Sequence, residues 1–101
     1  MLKDFIAFQI AKEIYRECKG IKLPPHLSDQ LMRASSSIAL NIAEGSGKRT
    51  SRDQAKFYSI ALGSLRESQA ILEIEDIEHN NLKDKMNSLG GILFKLSKKG
   101  K

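Results

Sequence analysis

The chain of 101 residues holds one cysteine, two prolines, two histidines and no tryptophan. A lone cysteine, Cys18, excludes an intramolecular disulfide and gives no sign of an oxidising compartment. Its place near the end of an apolar helical face predicts a small core residue. The two prolines are adjacent, Pro24 and Pro25, so long stretches on either side are free to be helical. No run approaches the roughly 18 uninterrupted apolar residues of a membrane span. The start, Met1-Leu2-Lys3-Asp4-Phe5, lacks the basic-then-apolar order of a signal peptide, so no membrane role and a cytoplasmic location are expected.

Catalytic and metal-binding patterns are equally scarce. His26 and His79 fall at element boundaries, and Asp76 with His79 is the one carboxylate-x-x-histidine pair in that order. A dimetal site in a bundle needs two Glu-x-x-His motifs and further glutamates, which this chain lacks. Gly45-Ser46-Gly47-Lys48 has neither the preceding strand nor the spacing of a phosphate-cradling loop. Ser36, Ser37 and Ser64 have no histidine placed to act as a base. The expectation is a protein that is no enzyme, with no catalytic residue, metal or cofactor.

What the sequence does hold is helix-forming and basic. Apolar residues make up 41% and charged residues 29%, ordinary for one globular domain of this length. The formal net charge of +5 favours anionic partners, nucleic acid first. Apolar spacing predicts four helices over about 2–19, 25–45, 51–78 and 81–98, with no internal repeat or low-complexity linker. In the first, Leu2, Ile6, Ile10 and Ile14 recur at steps of four, and Phe5, Phe8, Ala11, Tyr15 and Cys18 widen the face. Gly20 is suited to end it, Pro25 to start the second, and Gly45-Ser46-Gly47 to stop that one. Ser51 with Gln54 reads as a capping box, and Asn81 as a cap for the fourth helix. Leu82, Met86, Leu89, Leu93 and Leu96 form a coiled-coil-like seam across Gly90-Gly91, a pair that suggests a close helix crossing.

The second helix carries two stripes. Leu27, Leu31, Ala34, Ile38, Ile42 and Gly45 form an apolar seam. Gln30, Arg33, Ser37, Asn41, Glu44 and Lys48 form a polar one, whose amides, hydroxyl, guanidinium and carboxylate are able to satisfy one another if buried. The alternatives are a solvated face or a ligand site.

With Ser37-Ile38, Asn41-Ile42-Ala43-Glu44-Gly45, Phe57, Ile60-Ala61, Gly63-Ser64-Leu65 and Glu67, the chain resembles the four-helix-bundle proteins encoded in intervening sequences of bacterial 23S ribosomal RNA genes. That family is related to the accessory protein of diversity-generating retroelements. The resemblance implies an all-α, up-and-down antiparallel four-helix bundle that forms a ring, typically a homopentamer. It also implies no enzymatic activity and a nucleic-acid or reverse-transcriptase-like partner. The chain departs from the family at Ala39, where proline is usual, and at Ser68, where an apolar residue is common.

A short turn near Lys48 and Arg49 makes helices two and three antiparallel, with facing residue numbers expected to sum to about 97. That register sets Ala34 against Gly63, and Gln30 and Arg33 against Glu67 and Ser64. The expected structural network is then Gln30, Arg33, Ser37, Asn41, Glu44, Ser64 and Glu67, centred on an Arg33–Glu67 ion pair. Up-and-down topology also gathers Lys3, Lys48, Arg49, Arg52, Lys56, Lys95, Lys98, Lys99 and Lys101 at one end. Glu73, Glu75, Asp76 and Glu78 go to the other, diluted by Lys19, Lys22, Lys83 and Lys85. The basic end is a candidate for RNA or DNA backbone binding. Two readings stand: a noncatalytic RNA-binding or nucleic-acid-enzyme accessory protein, and a protein-interaction adaptor with no nucleic-acid role.

Overall fold

The computed structural model describes residues 2–99, with the backbone alone for Leu2 and Lys3. Lys101 and the Lys3 side chain, both assigned above to the basic end, lie outside the described residues. The four helices are α1 (Leu2–Lys19), α2 (Pro25–Ser46), α3 (Ser51–Ile74) and α4 (Asn80–Ser97), and no strand occurs among the described residues. Each helix packs on two neighbours, α1 on α2 and α4, and α3 on α2 and α4. Short connectors force successive helices to run antiparallel, and the result is a four-helix bundle of 40 × 23 × 19 Å.

Local chemistry sets the helix ends, and three differ from expectation. Thr50, not Ser51, caps α3: its Oγ1 accepts from the Asp53 N–H at 3.1 Å. The Gln54 amide reaches the Lys48 carbonyl at 3.2 Å rather than the cap, which ties the connector to the helix. At its far end α3 stops at Ile74, short of the expected Glu78, because Asp76 turns left-handed with φ 52°. The Ile77 N–H then bonds to the Leu72 carbonyl (2.9 Å) and the Asp76 N–H to the Glu73 carbonyl (3.1 Å), the paired bonds of a Schellman ending. Half-buried Ile77 folds back on the core and seals the turn. Helix α4 begins at Asn80 under a His79 cap, whose Nδ1 accepts from the Leu82 N–H at 3.2 Å. Asn81, expected as the cap, instead donates to Glu17 Oε1 at 3.2 Å.

Packing follows the seams of α2 and α4 as read, with Leu31, Ala34, Ile38, Ile42 and Gly45 buried on one and Leu82, Met86, Leu89, Leu93 and Leu96 on the other. In α1 the buried positions are Asp4, Ala7, Ala11, Ile14 and Cys18, at alternating steps of three and four. The step-of-four stripe was therefore offset: Ile6 is 42% exposed and Phe5 61%. Small alanines let α1 approach closely, and Phe5 and Ile6 are left largely exposed. Ile60 and Ile74 of α3 are also exposed.

Gly45 does not stop α2 but lies inside it, against α3. A Cβ there would meet Tyr58 Cε1 at 2.9 Å and Phe57 Cβ at 3.1 Å. This contact and the 2.8 Å Ser37–Ser64 hydroxyl pair set the α2–α3 register at sums of about 101–103, one turn beyond the expected 97. The first turn of α3 thus overhangs the end of α2. Gly63, expected to oppose Ala34, faces open space. Of the glycine pair in α4, Gly90 is buried beneath Arg66 and Leu65, while Gly91 is exposed.

Candidate nucleic-acid interface

The one-turn shift dismantles the polar stripe at its ends and keeps its centre. Asn41 Nδ2 lies 2.9 Å from both the Ser37 carbonyl and Ser37 Oγ. Ser37 pairs with Ser64, and fully buried Ser68 donates to the Ser64 carbonyl at 3.0 Å. Ser68, polar where the family is commonly apolar, is satisfied by α3's own backbone. Gln30, Arg33, Glu44 and Glu67 are exposed, and no ion pair joins Arg33 to Glu67 among the described residues. Glu44 instead pairs with Lys48 at 3.1 Å along α2.

The overhang has a consequence for charge. It carries Ser51–Asp53 past the end of α2, so that Arg49, Arg52 and Lys56 lie at the same end of the bundle as the C-terminal turn of α4 with Lys95, Lys98 and Lys99. A cleft of about 260 Å³ lined by Asp4, Ser51, Gln54, Tyr58, Leu96 and Lys99 marks the meeting of α1, α3 and α4 at this pole. Arg49, Arg52, Lys56, Lys95, Lys98 and Lys99 are exposed and make no ion pair among the described residues. Three of the pole's ammonium groups lie over aromatic rings: Lys48 and Lys56 over Phe57 at 5.0 and 6.0 Å, and Lys98 over Phe94 at 4.2 Å. These rings position flexible stems without neutralising the charge.

Two buried titratable groups are shifted, Tyr58 at this pole and Cys18 at the other. Tyr58 is 2% exposed, and burial, then the neighbouring Asp4 carboxylate, pushes its phenol well above the ordinary range. Its Oη is buried, with the Asp4 side chain beside it as hydrogen-bond partner and charge. Cys18, at the far end of α1, is a core residue as read; burial raises its thiol from 9.0 to about 12 against a lowering contact from Ser35.

At the opposite pole Lys85 bridges Glu17 and Glu13, the latter at 3.1 Å, and His79 Nε2 stands 3.8 Å from Glu17. The Glu17 and Glu13 contacts raise the Lys85 pKa. This cluster clips α1 to α4. No group of three or more His, Cys, Asp or Glu side chains suited to a metal occurs among the described residues. No helix of the described residues is long and apolar enough to cross a membrane.

Sequence reasoning missed Asp4 and Tyr58 as partners in one cleft. The signal was there: Asp4 continues the three-four seam of Ala7, Ala11, Ile14 and Cys18, and a carboxylate on a core seam requires a local reason. A family model described as 23S rRNA-intervening sequence protein matches residues 6–99. No curated protein and no solved structure matches the chain.

Proposed function

Since the chain belongs to the 23S rRNA-intervening sequence protein family, we propose that it is a noncatalytic nucleic-acid-binding protein of the bacterial cytoplasm. It holds structured RNA, or serves a nucleic-acid enzyme such as a reverse-transcriptase-like partner, through its basic pole. The observation that carries this reading is the gathering of Arg49, Arg52, Lys56, Lys95, Lys98 and Lys99, exposed and without ion pairs among the described residues, at one end of a bundle 40 Å long. Flexible cations of this kind displace counterions from a phosphate backbone and carry no base specificity of their own. Homopentameric assembly belongs to the same reading. Phe5, Leu40, Ile60 and Phe94 are 43–68% exposed, and large apolar side chains on a small bundle favour burial between subunits. A ring repeats the basic pole around one rim, where multivalency strengthens weak contacts.

Those exposed apolar residues also favour a second reading, a protein-interaction adaptor with no nucleic-acid role. Light scattering for mass, coupled to a fluorescence titration with duplex and structured RNA at low and physiological salt, separates the two. A pentamer whose RNA binding weakens steeply with salt supports the basic-rim reading. A pentamer that binds neither RNA supports the adaptor, and a monomer contradicts the assembly.

A further inference from the structure

We propose that the basic pole takes an unpaired stretch of RNA, with one base stacked on the ring of Phe94 and the neighbouring phosphates held by the lysines around it. This preference rests on the nucleic-acid reading above and names the form of RNA: a single strand, whose bases are open, over a duplex, whose bases are already stacked. Of the six phenylalanines and tyrosines, four have a lysine ammonium over the ring: Phe8, Tyr15, Phe57 and Phe94. About one such pair is ordinary in a chain of this length, so lysines gather on aromatic rings here well beyond that level. Two of the four rings belong to the basic pole. Phe57 is half-buried against Gly45, with Lys48 and Lys56 over it at 5.0 and 6.0 Å. Phe94, near the end of α4, is 49% exposed, and Lys98 Nζ lies 4.2 Å from its centroid.

An ammonium in that position covers the face of the ring, so the π-surface of Phe94 is turned to the solvent side and occupied by a mobile group. Lys98 is exposed and makes no ion pair among the described residues. An arriving base takes the place of the ammonium on the ring, and Lys98 moves to the phosphate that the base brings with it. Lys95 and Lys99, exposed on the same turns, meet the phosphates before and after it. A cationic surface with aromatic platforms is how single strands are held with little regard to sequence. Stacking on a side chain needs an open base face, which pairing and stacking hide inside a duplex, whereas the lysines serve either form. The competing use of an exposed ring is a contact between subunits. Burying Phe94 there takes Lys98 out of water with no ion pair of its own, and interface cores are depleted in lysine. Phe5, Leu40 and Ile60 remain for subunit contacts, and Phe94 falls to the ligand.

The test uses Phe94→Leu, which keeps an apolar side chain and removes the π-face, in anisotropy titrations of a labelled uridine strand and of a blunt-ended RNA duplex of the same length, with light scattering for mass. The variant binds the single strand at least about fivefold more weakly than the native protein does, binds the duplex within about twofold of it, and keeps its mass. Because the chain has no tryptophan, Phe94→Trp supplies a lone indole as a direct reporter of stacking. Its emission is quenched by the uridine strand and not by inorganic polyphosphate, which meets the same lysines and has no bases. Equal loss of strand and duplex affinity in Phe94→Leu, or a change in its mass, makes the ring structural and overturns the proposal. Strand affinity unchanged in Phe94→Leu, or equal quenching by polyphosphate, overturns stacking and leaves backbone binding standing. If the native protein binds neither RNA, the nucleic-acid reading and the proposal fall together.

Discussion

Glycines at positions 45 and 63 stand on facing helices for opposite physical reasons, and alanine distinguishes them. At Gly45 the added methyl meets the Tyr58 ring at 2.9 Å and Phe57 Cβ at 3.1 Å. Overpacking of about 1–3 kcal/mol outweighs the roughly 1 kcal/mol gained from helix propensity. At Gly63 nothing lies within 4 Å of the new methyl, so Gly63→Ala stabilises the bundle by up to about 1 kcal/mol. Urea unfolding of the two variants should move in opposite directions. Asp76 carries a left-handed φ of 52° at the end of α3, where glycine is unstrained, and Asp76→Gly should raise stability by about 1 kcal/mol. The Cys18 thiol gives a pH signature. Its folded pKa of about 12 lies above the ordinary 9.0, so between these values the unfolded chain has lost a proton that the native state retains. Stability is therefore complete below pH 9 and falls as pH rises, by up to about 1.4 kcal/mol per unit from this group. Cys18→Ala costs core packing yet flattens the loss between pH 9 and 10. Above that, Tyr58 and Lys85, both raised, lose their native preference for the protonated form and steepen the decline.

Helices were legible wherever the signal was periodic, and their ends and register were not. The seams of α2 and α4 follow directly from leucine and isoleucine spacing, because burial of one face is what that spacing selects. In α1, Ala11, Ile14 and Cys18 of the expected face are buried, but Phe5 and Ile6 are not. Close packing placed Ala7 and Ala11 inside and left Phe5 and Ile6 outside, a choice set by the distance between helices rather than by hydrophobicity alone. Of the expected polar stripe, Ser37, Asn41 and Ser64 hydrogen-bond to one another, while Gln30, Arg33, Glu44 and Glu67 are exposed. Its outcome depended on a register that Gly45 and Ser37 fix one turn away from the midpoint of the connector. Arg33→Met and Glu67→Gln should therefore each change stability by no more than about 0.5 kcal/mol, since both side chains are exposed. The caps behave differently. His79→Ala removes the acceptor for the Leu82 N–H and should cost about 1 kcal/mol in chemical denaturation, with His79→Asn recovering most of it.

At the scale of the whole molecule, a net charge of +5 conceals two unlike poles along a 40 Å axis. At one, Lys85 is engaged by Glu13 and Glu17; at the other, only Lys48 of the described basic residues has a carboxylate partner, Glu44. Charges already paired have few counterions to exchange, so the second pole is where a polyanion gains most. The most direct measurement of this account is the dependence of structured-RNA affinity on salt, for the native protein and for the variant with Lys48, Arg49 and Arg52 reversed to glutamate. Each phosphate contact contributes roughly 0.7–0.9 to the slope of log affinity against log salt. The account predicts a steep native slope that falls by about two or more in the reversed variant, with oligomer mass unchanged. A native slope near zero, or one that the reversal leaves intact, would contradict it.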